Sequence, residues 1–272
     1  MLASLLLKKI NVPAADILLI YDDNKQENGC LSMNILKDGE YFLEDHPFED
    51  MNFPESLKNL QGLDRFIETD LYRCSSKYNV TPEFLKERKK FLIQYVFVSA
   101  FLGNDDIKTD NCQLIYIQND GTIRNPEYYD MGMSFRGPDI VSKDSRARYF
   151  FGNQLDMDVL QELYEKYPSE IEDISRQIEI SLNKKDIRAL LNEDVFQGLD
   201  KETRKKIWID LGKKIAYISK QNELLYGVTH NRNSFLTSPE EIRDATKDTN
   251  ITLIDKARLF IKTLKTKMLG ER

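Results

Sequence analysis

The segment "TPEFLKERKKFLIQYVFVSAFLG" constrains the fold of this chain more than any other part of the sequence. It opens with Thr81, a residue type that caps helices, followed by Pro82, which favours the first helical position. Its second half is apolar on nearly every side, and helices of that character lie inside a domain rather than on its surface. The segment therefore predicts a long helix at the centre of a domain.

Helices dominate the rest of the sequence as well. A short apolar helix at residues 2–10 stops before Pro13, which lacks a backbone donor and restricts the residue before it. Helical spacing resumes at Ser56 and continues towards the central segment. Beyond Phe150 the same spacing predicts further helices in "DMDVLQELYEKY", "PSEIEDISRQIEISL", "KETRKKIWIDLGKKIAYISKQNELL" and "ITLIDKARLFIKTLKTKML".

Two predicted hairpins interrupt this helical pattern. In the first, "DILLIYD" and "CLSMNIL" are strand-like runs on either side of the polar turn "DNKQENG". The second follows the central helix and a polar loop, "NDDIKTDN", at residues 104–111; its strands lie in "CQLIYIQ" and "IRNPEYYD" around an Asn-Asp-Gly turn. Because the strands of a tight pair lie about 5 Å apart, this second hairpin is expected to bring Asn111 and Asp130 side by side.

Composition argues against several broad classes of function. The 272 residues, of which 41% are hydrophobic and 31% charged, are enough for one or two globular domains. A net charge of -6 argues against direct nucleic-acid binding, which needs a basic face. Cys30, Cys74 and Cys112 are widely spaced and odd in number, so they indicate a reducing, cytoplasmic location rather than a disulfide framework or a metal site. No apolar run approaches the length that spans a bilayer.

The polar loop carries the residue types that phosphoryl transfer requires. Asp106 and Asn111 have the Asp-x-x-x-x-Asn spacing of kinase catalytic loops, and Lys108 lies between them. In such a site one carboxylate accepts the proton of the attacking hydroxyl, while an amide and a second carboxylate hold Mg²⁺ across the phosphates of ATP. We therefore assign Asp106 as the base, Asn111 and Asp130 as Mg²⁺ ligands, and Lys108 as an auxiliary positive charge.

A purely structural interpretation of the same residues stays open. Loops rich in Asp, Asn and Gly before a strand are most often solvated turns, and neither the loop spacing nor "DMG" is specific alone. The combination is more specific, because an apolar helix, Gly103, the loop, the hairpin and an aromatic pair before Asp130 occur in that order. This order favours descent from a kinase-type site.

At these residues the sequence resembles the HipA-like serine/threonine kinases, the toxin kinases of bacterial persistence modules. "FLGNDDIKTDN" is similar to the family's Gly-x-x-Asp-x-x-x-x-Asn loop, and "NPEYYDMG" is similar to its Pro-x-Tyr-Asp metal-binding segment. "LLLKKINVPAADILLI" resembles the family's helix and following strand, so the resemblance covers residues 2–225. It implies an α+β, mostly α, protein-kinase-like fold: a helical C-lobe at residues 55–272 carries the catalytic hairpin, and a reduced N-lobe occupies residues 1–54.

The resemblance is incomplete in the N-lobe. In the family, a phosphate-covering glycine-rich loop and an ATP-contacting lysine precede the helix that aligns with residues 2–10. None of the twelve glycines of this chain forms a Gly-x-Gly motif, and the lysines of the first twenty residues lie on that helix itself. We therefore expect a truncated N-lobe.

Two hypotheses of function follow. The first is a kinase core that uses ATP and Mg²⁺ to phosphorylate a serine or threonine hydroxyl of a protein substrate. For this hypothesis the resemblance implies the toxin of a toxin–antitoxin module, with an antitoxin or a complementing N-lobe polypeptide as partner. The second is a catalytically impaired, pseudokinase-like module that binds other proteins through its helical lobe. Neither hypothesis involves direct contact with nucleic acid or with a membrane.

Overall fold

The computed structural model describes most of the chain up to residue 227. The described residues are 2–21, 27–32, 35–43, 53–104, 106–107, 109–129, 134–135, 156–192 and 199–227. The chain divides into two compact units, Met1–Gln177 and Ile178–Arg272. The last predicted helix, in "ITLIDKARLFIKTLKTKML", lies outside the described residues. The predicted boundary between residues 54 and 55 stays a prediction.

Helices make up most of the described structure. They are α1 (Leu2–Lys9), α2 (Glu55–Lys58), α3 (Gly62–Lys77), α4 (Pro82–Leu102), α5 (Asp156–Lys166), α6 (Pro168–Ser181), α7 (Lys184–Leu191) and α8 (Lys201–Tyr226). None of these described helices combines the length and the apolar character that a membrane crossing requires.

Helix α4 is the buried centre that the sequence predicts. The Thr81 hydroxyl accepts a hydrogen bond from the Phe84 N–H at 3.2 Å and so caps the first turn. In residues 92–102 every side chain except that of Gln94 is buried. The helix packs against α3 on one side and α5 on another. Burial on all sides explains why the apolar residues of this segment show no single face.

The described strands form two small antiparallel sheets. In the first, β1 (Ile17–Tyr21) pairs with β2 (Glu27–Ser32). The second has three strands in the order β3-β4-β5, formed by β3 (Glu40–Phe42), β4 (Ile115–Ile117) and β5 (Thr122–Arg124). Both predicted hairpins are present. The second is shorter than predicted, because β5 includes only the start of "IRNPEYYD" and Cys112 belongs to a 3-10 turn, Thr109–Cys112, before β4. A strand from the N-terminal part of the chain, β3, extends this hairpin.

Other element boundaries also differ from the prediction. Strand β2 begins at Glu27, three residues upstream of "CLSMNIL" and inside the run predicted as a turn, because Glu27 already pairs with Tyr21 of β1. The helix predicted from Ser56 is two helices, since Gly62 takes a φ of 55° and starts a new one. The sequence pattern also missed β3, whose three residues are too few for a periodic signal, and α7, which has only eight residues.

Candidate active site

Helix α4 ends in a sharp turn that leads into the predicted catalytic loop. Gly103 has a φ of 63°, and its N–H donates to the Ala100 carbonyl at 3.3 Å. The Asn104 N–H donates to the Ser99 carbonyl at 2.8 Å. These two bonds form a Schellman motif, which glycine suits because it has no Cβ. The end of the buried helix therefore fixes where the loop begins.

Two side-chain amides hold the backbone of Asp106 within this loop. The Asp106 N–H donates to Asn104 Oδ1 at 3.3 Å, and the Asp106 carbonyl accepts from Asn111 Nδ2 at 3.1 Å. Asn104 and Asn111 are each only 2% exposed, whereas Asp106 is half-buried. The structure thus brings Asp106 and Asn111 together. Because the side-chain nitrogen of Asn111 donates to the backbone, the side-chain oxygen of Asn111 is the atom that suits a cation.

Neutral hydroxyl groups lie beside Asn111. Tyr95 and Ser99 project from α4, and neither hydroxyl meets a partner at regular hydrogen-bond geometry among the described residues. Burial raises the pKa of Tyr95 well above its usual value, although the nearby amide of Asn111 and hydroxyl of Ser99 oppose this rise. The phenol therefore stays protonated at neutral pH. It does not compete with Asp106 as a proton acceptor.

The other two predicted site residues, Lys108 and Asp130, lie outside the described residues. Tyr129, which directly precedes Asp130 in the sequence, is described, and its hydroxyl accepts a hydrogen bond from the Gln113 N–H at 3.4 Å. Gln113 follows Asn111 by two positions. The chain leaving the hairpin therefore contacts the chain entering it close to Asn111.

The N-terminal segment also holds the chain that leaves the hairpin. The Tyr128 N–H donates to the Pro13 carbonyl at 3.0 Å, and the Tyr128 carbonyl accepts from the Ala15 N–H at 2.8 Å. The Tyr128 ring is buried and stacks on Phe91 and Tyr95 of α4, at centroid distances of 5.5 and 6.2 Å. These contacts fix the position of Tyr128 through both its backbone and its ring.

A buried cluster of charges was not predicted from the sequence. Arg88 of α4 is fully buried and donates to both carboxylate oxygens of Asp70 on α3, at 2.7 and 3.0 Å. Its guanidinium also donates to the Cys112 carbonyl at 2.6 Å and to Asn125 Oδ1 at 3.0 Å. Burial lowers the pKa of Arg88, but the charge and hydrogen bonds of Asp70 outweigh this and raise the pKa above its usual value. Arg88 is therefore a permanent cation that connects two helices to both ends of the hairpin.

A second arginine binds the same carboxylate. Arg73 is 2% exposed and donates to Asp70 at 2.7 Å from within α3. Burial, with the neighbouring charge of Arg88, lowers its pKa. Burial also raises the pKa of the Cys74 thiol to about 12, and burial raises that of Cys112 even further from its usual value. Both thiols are protonated at neutral pH, so neither supplies a thiolate nucleophile.

An ion pair joins the outer strands of the three-stranded sheet. Arg124 of β5 donates to both carboxylate oxygens of Glu40 on β3, at 3.0 and 2.6 Å, across the central strand β4. The Lys37 N–H donates to the same carboxylate at 2.9 Å. The bonds from Arg124, and then that from Lys37, lower the pKa of Glu40 from 4.5 to about 2. This pair ties the hairpin to the N-terminal part of the chain.

The lowered pKa makes the contribution of Glu40 to stability depend on pH. Because the folded pKa lies below the unfolded one, the unfolded chain binds more protons between these two values. The stabilisation is present above pH 4.5 and is lost as the pH falls through about 2. We expect Glu40→Gln to be less stable than the wild type at neutral pH, with a gap that narrows in acid. Urea midpoints of both proteins against pH measure this gap.

Glu55→Gln is the matched control for that titration, because it removes the carboxylate of an exposed pair with Lys58. A gap between Glu40→Gln and the wild type that stays constant across the acid range would contradict the assigned ion pair.

Carboxylate, thiol and imidazole groups do not cluster in the described structure. Within the described ranges, no three His, Cys, Asp or Glu side chains gather closely enough to hold a metal ion. A magnesium site has lower demands, since Mg²⁺ keeps several waters and takes only one or two carboxylates. The described loop offers an amide oxygen at Asn111 and a carboxylate at Asp106.

Comparison with known proteins shows the type of fold. No protein-family model matches the chain, and no curated protein matches it. Among solved structures, it is similar to the crystal structure of a Helicobacter pylori proinflammatory kinase, CtkA, with a TM-score of 0.56. The match covers 82% of this chain and 86% of that chain. The fold is kinase-like. The two sequences are 15% identical, a level at which the likeness shows the fold alone.

The comparison supports the fold prediction at this coarser level. The described chain is mostly helical with a small three-stranded antiparallel sheet, as expected for the kinase-like class. Membership of the HipA-like family, the truncated N-lobe and the roles of Asp106, Lys108, Asn111 and Asp130 stay predictions.

Proposed function

We propose that this chain is a HipA-like kinase core that transfers the γ-phosphate of ATP to a serine or threonine hydroxyl of a protein. One observation carries the proposal: the Asn111 side chain closes a loop on the carbonyl of Asp106, directly after the central helix of a kinase-like fold. Asn side chains bond to the backbone in many turns. Here the amide is buried and joins the two residues that a catalytic loop must keep at a fixed separation, the proposed base and a proposed metal ligand.

The proposed roles of Asp106 and Asn111 match the environments of these two residues. Asp106 is half-buried, so its carboxylate can reach the hydroxyl of a substrate protein and accept its proton. Asn111 presents an amide oxygen, a hard ligand that suits Mg²⁺. Asp130 is the second proposed ligand, and Lys108 is proposed to offset negative charge on the phosphates. When bound, ATP would supply the transferred phosphoryl group, and Mg²⁺ would offset the negative charge of the phosphates.

The resemblance in sequence extends the proposal to partners. Toxin kinases act on other proteins in the cytoplasm, so we propose a cytoplasmic protein substrate and an antitoxin partner. Because the chain has no Gly-x-Gly motif, a complementing polypeptide that supplies the phosphate-covering loop is a further candidate partner. Contact with nucleic acid would then pass through such a partner.

A second candidate function is a pseudokinase-like interaction module. The absence of any Gly-x-Gly motif among the twelve glycines favours it, since that motif covers the phosphates of ATP in protein kinases. In this case the loop would keep its geometry without binding nucleotide.

Calorimetric titration with ATP, with and without Mg²⁺, separates the two functions. We expect the wild type to bind ATP only when Mg²⁺ is present. Loss of an outer-shell partner of a metal ligand costs about 10- to 100-fold in affinity. Asp130→Ala, which removes a proposed ligand itself, is therefore expected to weaken binding by at least that factor.

Asp120→Ala is the matched control for the titration. Asp120 is an exposed carboxylate in the turn at the opposite end of the same hairpin, where it accepts from the Thr122 N–H at 2.9 Å. This variant is expected to bind ATP as the wild type does. Equal losses in both variants would point to a damaged hairpin, and no binding by the wild type would leave the pseudokinase function.

A further inference from the structure

The guanidinium of Arg88 makes four hydrogen bonds to three different parts of the chain. Two go to the carboxylate of Asp70, one to the carbonyl of Cys112 and one to the side-chain oxygen of Asn125. Cys112 directly follows Asn111, and Asn125 directly follows β5. A guanidinium is planar, so its donors have fixed directions. The entry and the exit of the β4–β5 hairpin are therefore held at a set separation.

We propose that Arg88 is a positioning residue for the Mg²⁺ site, an inference that rests on the proposed kinase function. It holds the backbone directly after Asn111 and, through Asn125, the start of the chain that leads to Tyr128 and Tyr129. The amide oxygen of Asn111 is thereby kept where it can reach the metal. Asp70 is the buried anchor that orients the guanidinium from α3.

Charge pairing alone does not account for this arrangement. Asp70 already accepts a hydrogen bond from Arg73 at 2.7 Å, so its charge is paired without Arg88. Burial of a second guanidinium is costly unless its donors are satisfied. Two of the three donors that Asp70 does not use go to the two ends of the hairpin. The geometry accordingly fits a role for Arg88 in holding the loop and the hairpin in position.

The Mg²⁺ requirement of ATP binding tests this role. Arg88→Lys keeps the buried charge opposite Asp70, but a single ammonium cannot make all four bonds. Asn125→Ala removes only the hydrogen bond between Arg88 and the residue at the exit of the hairpin. We expect Arg88→Lys to raise the Mg²⁺ concentration for half-maximal ATP binding by about 10- to 100-fold, the effect of losing an outer-shell partner. Asn125→Ala is expected to shift it in the same direction.

Arg73→Lys is the matched control, since it makes the same substitution on the same carboxylate. It is expected to lower the thermal midpoint without raising the Mg²⁺ requirement. A merely structural role for Arg88 would make the two lysine variants alike in both measurements.

Each outcome of this experiment decides the proposal. A raised Mg²⁺ requirement in Arg88→Lys and Asn125→Ala, but not in Arg73→Lys, supports it. If Arg88→Lys does not fold, the Mg²⁺ requirement of Asn125→Ala alone decides whether the positioning role holds. An unchanged requirement overturns the positioning role and leaves the kinase function intact. Absence of Mg²⁺-dependent ATP binding in the wild type overturns both.

Discussion

Replacing Asp106 with Asn is expected to lower the rate of phosphoryl transfer by about 10²- to 10⁴-fold, the usual contribution of a general base. The variant should still bind MgATP, because the described bonds of residue 106 to Asn104 and Asn111 use its backbone rather than its carboxylate. Asparagine has nearly the same shape as aspartate but cannot accept the proton. Mass spectrometry of self-phosphorylated serine and threonine residues measures the rate of transfer, and calorimetry with ATP measures binding.

Asp120→Asn serves as the control for this rate, since it makes the same change in the exposed turn of the hairpin. A wild-type rate in Asp106→Asn would remove Asp106 from the role of base. Loss of ATP binding together with the rate would instead assign its carboxylate to the metal. The two results differ in the calorimetric signal and cannot be confused.

The central helix and the two hairpins could be predicted because their signals are local. Thr81 and Pro82 mark the start of α4, and the Asn-Asp-Gly turn marks the second hairpin. Strand β3 has no such signal. Its three residues become a strand through pairing with β4 and through the bonds between Glu40 and Arg124, which join positions far apart in the sequence.

The Asp106–Asn111 spacing could also be read from the sequence, but what supports the loop could not. Arg88 lies in the charged run "KERKK", which is typical of a solvated helix face. One signal was present: Arg88 is four positions before Leu92 and seven before Tyr95, so a regular helix places it on their buried face. Its partner Asp70 lies on another helix, and no single-helix pattern reveals such a pair.

Strand β3 and the Arg88–Asp70 pair, which the sequence did not reveal, both connect distant segments to the loop and its hairpin. Pairing of the segment at residues 13–15 with Tyr128 is a third example, since a parallel bridge between remote residues leaves no periodic trace. The features of the candidate site are therefore of two kinds, those that the local sequence shows and those that depend on contacts between distant segments. The chemistry-bearing residues of the loop follow one another in the sequence. The contacts that fix their positions come from elsewhere: from α4 and α3 through Arg88 and Asp70, from the N-terminal segment, and from β3.

Replacing Asp70 with Asn is expected to destabilise the fold strongly. The carboxylate is fully buried and is the shared partner of Arg73 and Arg88. Its loss leaves two buried guanidinium groups facing a neutral amide. Breaking a buried ion pair in this way costs about 3–5 kcal/mol. The free energy of unfolding of a whole domain is about 5–15 kcal/mol, so this loss would be a large fraction of it.

Asp64→Asn on the same helix is the control that separates burial from charge. Asp64 is partly exposed and pairs with Lys166 at 2.7 Å, a contact of the kind that contributes at most about 1 kcal/mol. Urea denaturation of the two variants should therefore differ by several-fold in the loss of free energy. Equal, small losses would mean that water reaches Asp70 in solution. In that case the cluster could not hold the hairpin rigidly, because a solvated guanidinium exchanges its hydrogen bonds with water and no longer fixes the Cys112 carbonyl relative to Asn125.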